Sequence, residues 1–130
     1  MMAGCGVDLV GIPEMQRAMK RWGKAFLGRV FTPGELRYAM SKRTAAQHLA
    51  ARFAAKEAVL KAFGPWKGRV PCALQEIEVV NHSSGQPRIQ LHGAARTLQQ
   101  RSRTREIIIS LSHTREFAVA TAILIRRGRR

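Results

Sequence analysis

Residues 53–64 read FAAKEAVLKAFG, and within this alanine-rich run Glu57 and Lys61 stand four residues apart, one turn of a helix. As an ordinary i,i+4 pair they would stabilise that helix by about 0.2–0.5 kcal/mol and do nothing more. Asp8 widens the choice. It lies in GVDLV, where alternation sets Val7 and Leu9 on one face and Gly6, Asp8 and Val10 on the other. A carboxylate inside an apolar strand is costly unless it is hydrogen-bonded, paired with a cation or bound to a metal. It could cap a turn or pair with one of the 23 lysines and arginines. If Asp8 and Glu57 instead converge, they offer two hard oxygen ligands. That set suits Mg²⁺, which takes one or two carboxylates and completes its octahedron with waters and phosphate oxygens. Lys61, one turn from Glu57, would then serve as a point cation for phosphate.

Two further places carry polar chemistry. His113 ends the apolar run EIIISLSH, beside Ser110, Ser112 and Thr114. It reads either as a satisfied structural histidine or as a hydrogen-bond donor to phosphate. Gly85-Gln86-Pro87 is most simply a hairpin turn, and its proline and backbone also make a flat wall for a base. Cys5 and Cys72 form no CxxC or metal-spaced cluster, so a reduced thiol pair fits better than a disulfide framework.

These residues need elements to hold them. GVDLVGI reads as a short buried strand. Pro13 opens a helix in which Met15, Ala18, Met19, Trp22 and Phe26 form an apolar stripe, read as core. Arg17, Lys20, Arg21 and Lys24 make its opposite, basic face. FTPGEL has Thr32 as cap, Pro33 at the first helical position and Glu35 three residues after the cap, a capping box. A long helix spans about 44–63 and stops at Gly64-Pro65. Its wheel gathers Ala51, Ala55, Ala58 and Ala62 on one face. Phe53, Glu57 and Lys61 run alongside, which puts Glu57 near the seam with the core, while Arg52 and Lys56 fall on a more exposed side. Residues 65–73 read as a loop. IEVV and PRIQL form a hairpin around NHSSGQ, GAARTLQQRS an exposed helix, and EIIISLS with FAVATAILI a second hairpin around HTRE. The sum is a single α+β domain over residues 1–125: an antiparallel sheet with the long helix packed on it, followed by a basic tail, 126–130, expected to be disordered.

Composition narrows the partners. Hydrophobic residues are 45% of the 130, which is globular, and one core of this size needs no metal or disulfide support. With 23 basic and 8 acidic residues the formal charge is +15, which predicts an acidic partner. Nucleic acid is the natural rival reading, since Arg101, Arg103, Arg105 and the tail could track phosphates. Against it, aromatics are only 6% and no RNP, KH, zinc-finger or basic-zipper pattern occurs. Walker, GxSxG and dinucleotide-glycine motifs are also absent. There is no secretory leader pattern and no apolar run of membrane-spanning length, so a cytoplasmic, soluble chain with neither nucleic acid nor membrane as partner is expected.

GVDLVGI, FTPGEL, ARFAAKEAVLKAFG, IEVV followed by SGQPRI, and SLSHTREFAVATAIL occur in that order. Together they resemble the holo-acyl-carrier-protein synthases, the short class of 4′-phosphopantetheinyl transferases. The likeness spans nearly the whole chain and omits GPWKGRVPCALQ and the basic tail. It implies Mg²⁺-dependent transfer of the phosphopantetheine arm of coenzyme A to a serine of an acidic apo-acyl carrier protein, as in fatty acid biosynthesis, with release of 3′,5′-ADP. By the same resemblance, Asp8 and Glu57 bind the metal, and Lys61 faces the diphosphate. Arg52 contacts coenzyme A near the adenine or 3′-phosphate, His113 contacts the nucleotide phosphates, and Gln86 and Pro87 face the adenine. Glu57, or a metal-bound water it orients, is the expected proton acceptor from the serine. Arg17, Lys20, Arg21 and Lys24 dock the carrier protein. The family also implies a trimer with active sites between subunits.

Overall fold

A computed structural model of the protein describes residues 1–66 and 68–128. Five strands and four helices follow one another as β1 (Met2–Gly11), α1 (Ile12–Val30), α2 (Pro33–Met40), α3 (Ala45–Phe63), β2 (Ile77–Asn81), β3 (Pro87–Leu91), α4 (Gly93–Arg101), β4 (Thr104–His113) and β5 (Phe117–Arg126). A single 3₁₀ turn, Leu74–Glu76, precedes β2. The strands form an antiparallel sheet in the order β1-β5-β4 and a separate hairpin, β2-β3. The architecture is α+β, with α3 packed across the sheet.

Register explains how α3 sits. Gly6 pairs with Ala122 and Asp8 with Ala120, so the face that Asp8 shares is paved with small residues. Ala118, Ala120, Ala122 and Leu124 are buried on that face, against Ala54, Ala55, Ala58 and Ala62 of α3. The approach is so close that a Cβ on Gly6 would collide with the Ala58 carbonyl oxygen, and one on Gly4 with that of Ala62. Glycine is required there by space, not by backbone angle.

Among the described residues, nothing covers the opposite face of the sheet. Val7 is 55% exposed, Leu9 60% and Ile108 45%. GVDLVGI is therefore not the buried strand its apolar content suggests. Alternation assigned the faces correctly, but only one of them has a layer on top.

α1 does not run as one straight helix. Gly23 adopts φ 53°, ψ −139°, breaking the helix in mid-course. Met15 is buried, and Met19 and Phe26 pack against the core. Trp22, next to the break, is 57% exposed, with the Arg21 guanidinium 5.3 Å from its ring centroid. A wheel drawn through residues 12–30 assumes one axis, and the glycine removes it.

α2 begins as expected. The Thr32 hydroxyl accepts from Glu35 N–H and the Glu35 carboxylate accepts from Thr32 N–H at 2.9 Å. Arg52 and Lys56, by contrast, are not on an exposed side: they are 4% and 0% exposed. Eleven of the 19 residues of α3 are buried, because the sheet, α1, α2 and the β2-β3 hairpin surround it. Of the tail, Arg126 ends β5 and Arg127 N–H donates to Arg103 C=O at 3.0 Å, so ordered structure extends past residue 125. Arg129 and Arg130 lie outside the described residues.

Candidate active site

Two groups of site residues lie along α3. The first sits where β1 crosses it. Lys61 Nζ is 2.8 Å from Asp8 Oδ1 and also donates to the Val7 carbonyl at 3.2 Å. The Asp8 side chain is only 17% exposed, that of Lys61 53%. Burial, and next the charge of Asp8, raise the Glu57 carboxyl above its ordinary range, against the opposing pull of Lys61. Asp8 and Glu57 thus feel each other. Two carboxylates and one ammonium leave excess negative charge at a half-buried point. Their oxygens are hard donors, so the set fits a divalent cation of the Mg²⁺ type.

The second group lines a recess of about 390 Å³ between α2, α3, β4 and the β2-β3 turn. Tyr38, His48, Arg52, Gln86, Pro87 and His113 are among its walls. The Arg52 guanidinium is held on one face and at one end. Its carbon lies 4.2 Å from the Tyr38 ring centroid, and Nη2 donates to Asn81 Oδ1 at 3.0 Å. Its Nε is buried with no hydrogen-bond partner among the described residues. Gln47 Nε2 lies 2.6 Å from His113 Nε2, anchoring the end of β4 to α3. Burial first, then Arg52, Lys42 and His113, hold His48 below the usual histidine value. A cavity rimmed by arginine and histidine suits an anion.

The structure therefore brings Arg52, Gln86, Pro87 and His113 to one recess, and Asp8, Glu57 and Lys61 to another point. None of those last three lines the recess. Lys61 lies nine positions after Arg52, about 13.5 Å along the helix axis at ~1.5 Å per residue. Arg17, Lys20, Arg21 and Lys24 are exposed on α1. Arg17 and Lys20 border a recess of about 610 Å³ with Pro13, Met19 and Ala46. Tyr38, His48 and Asn81 were not singled out from the sequence. The i,i+4 spacing of His48 and Arg52 was the available signal, and it was hidden once Arg52 was assigned to solvent.

Residues 4–122 match the 4′-phosphopantetheinyl transferase superfamily, and the chain belongs to that superfamily. Within it, the chain is 42% identical over 125 residues to the holo-[acyl-carrier-protein] synthase of Koribacter versatilis, covering 95% of this chain and 98% of that one. Its fold superposes on that of the holo-[acyl-carrier-protein] synthase from Neisseria meningitidis with a TM-score of 0.87 at 28% identity, covering 97% and 100% of the two chains. The synthase from Bacillus anthracis, solved in complex with CoA (3′,5′-ADP), gives a TM-score of 0.79 at 28% identity over 98% and 99%.

Proposed function

We propose that this chain transfers the 4′-phosphopantetheine arm of coenzyme A to a serine of an apo-acyl carrier protein and releases 3′,5′-ADP. The observation that carries the reading is the meeting of Asp8, Glu57 and Lys61 at the crossing of β1 and α3, in a chain of this superfamily. Asp8 and Glu57 would hold Mg²⁺, which supplies charge neutralisation for the diphosphate when bound. Every other part falls to the chain itself. Arg52, Gln86, Pro87 and His113 orient the nucleotide in the recess. The carrier serine Oγ forms a bond to the β-phosphorus, and the bond from that phosphorus to the bridging oxygen of 3′,5′-ADP breaks. Glu57, or a metal-bound water it orients, takes the serine proton. Lys61 turns from Asp8 to the charge that builds on the departing phosphate.

Two surfaces support the assembly. The uncovered sheet face, with Val7, Leu9 and Ile108, gives copies of this chain an apolar patch on which to form a trimer. The nucleotide recess and the carboxylate pair would then meet ligands between subunits. Arg17 and Lys20 of α1 rim a recess with Pro13, Met19 and Ala46, and the other exposed cations of α1 stand near it in sequence, which fits docking of an acidic carrier protein. A cytoplasmic setting goes with this activity, and among the described residues no helix is long and apolar enough to cross a membrane. Mass spectrometry of an apo-carrier protein incubated with the chain, Mg²⁺ and coenzyme A tests the reading. A gain of one phosphopantetheine arm is expected, and an unmodified carrier would refute it.

A further inference from the structure

One charged pair on α3 belongs to neither group. Lys56 Nζ lies 2.6 Å from Glu35 Oε1, and both side chains are fully buried. Lys56 also donates to the carbonyls of Leu74 at 3.0 Å and Ile77 at 2.7 Å, which occupies all three of its protons. Glu35 accepts from Thr32 N–H on one oxygen and from Val79 N–H, at 2.8 Å, on the other. One pair thus ties α2, α3, the turn before β2, and β2 itself.

Three of those elements, α2, α3 and β2, contribute to the walls of the nucleotide recess, and β4 closes it on another side. α2 supplies Tyr38, under the guanidinium of Arg52. β2 ends at Asn81, which holds Arg52 Nη2. The turn after β2 brings Gln86 and Pro87. Arg52 itself lies one helical turn before Lys56. A buried ion pair is a poor way to gain stability, since apolar residues of similar volume often do as well or better. What a saturated, directional network supplies is fixed geometry between the parts it joins.

We infer that the Lys56–Glu35 pair is a positioning device: it sets the spacing between Tyr38, Arg52 and the Gln86-Pro87 turn, and so sets coenzyme affinity without touching the coenzyme. The inference rests on reading that recess as the coenzyme site.

The test compares the unaltered chain with Glu35→Gln and with Lys56→Met/Glu35→Gln, which leaves no unpaired buried charge. Calorimetry gives the dissociation constant for coenzyme A, and steady-state assays give KM and kcat. Hydrogen exchange follows the amides of residues 77–81. In the folded double variant, Kd and KM for coenzyme A rise at least about tenfold while kcat at saturating coenzyme stays within about twofold, because misplacing a binding wall weakens ground-state and transition-state binding alike. Exchange at 77–81 quickens. A merely structural pair would instead lower the melting temperature and the active fraction, leaving KM and Kd at the unaltered values, and that result overturns the inference. If the double variant does not fold, Glu35→Gln, which keeps the side chain's shape, decides by the same split. Failure of the unaltered chain to bind coenzyme A would remove the reading of the recess and this inference with it, whereas binding that the variants leave unchanged removes only the role of the pair.

Discussion

At Glu57 two demands oppose each other. Burial and the neighbouring Asp8 favour its protonated form, whereas holding a cation needs the carboxylate. The sign follows from linkage. A carboxyl raised in the folded state stabilises the fold most below its unfolded value, and that contribution is lost as pH rises through the folded value. Glu57→Gln should therefore raise the melting temperature of the metal-free protein at pH 8 while abolishing transfer, and an unchanged or lower melting temperature would show that the carboxylate is not strained. Mg²⁺ affinity, read by calorimetry at fixed coenzyme A, should weaken as pH falls, beginning above the ordinary glutamate value of about 4.3. Asp8→Ala should reduce transfer by at least about 10²–10³-fold with the circular dichroism spectrum preserved, and Lys61→Ala should lower kcat roughly 10²-fold. Activity at the unaltered level in either would place that side chain outside the reaction.

The elements matter because they bring β1 so close to α3. With backbone carbonyls where a methyl group would go, Gly6→Ala has no flexible neighbour to displace. It should cost at least about 3 kcal/mol in denaturant unfolding, beyond the usual range for overpacking. Lys56→Met alone should cost about 3–5 kcal/mol, because it leaves Glu35 buried and unpaired. Much of this level was legible in the sequence. The capping box at Thr32, the stop at Gly64-Pro65, both hairpins and the alanine face of α3 all follow from local chemistry. What was not legible depended on neighbours. The wheel of α3 showed cations on one side and assigned that side to solvent, yet an alanine-rich helix without a strongly polar face is one that is covered all round. Glu35 was read only as a cap, when its second oxygen and Lys56 sit at the centre of a contact between three elements. Trp22, the last residue before the break at Gly23, is exposed although Met15 and Met19 on the same segment pack inward.

At the scale of the whole molecule, charge and the open sheet face set the predictions. Of 23 basic residues, few have an acidic partner to meet among 8, and α1 carries five of them exposed, Arg17, Lys20, Arg21, Lys24 and Arg29. Arg17→Glu with Arg21→Glu should raise KM for the carrier protein and flatten its salt dependence, leaving coenzyme A affinity unchanged; equal damage to both would mean that α1 is not a separate docking face. Val7→Glu with Ile108→Glu puts two carboxylates on the uncovered face. Light scattering should then report a monomer in place of a trimer, with transfer lost, and a variant that stays assembled would move the interface elsewhere. Asp8, Glu57, Arg52, Gln86, Pro87 and His113 are all singled out by sequence motifs, but their division between two places required the fold. The most direct measurement is a crystal structure of the chain with coenzyme A and Mg²⁺. It should show the ion about 2.0–2.1 Å from a carboxylate oxygen of both Asp8 and Glu57, with Lys61 turned to the diphosphate. An ion bound away from either carboxylate, with coenzyme A in place, would contradict the account.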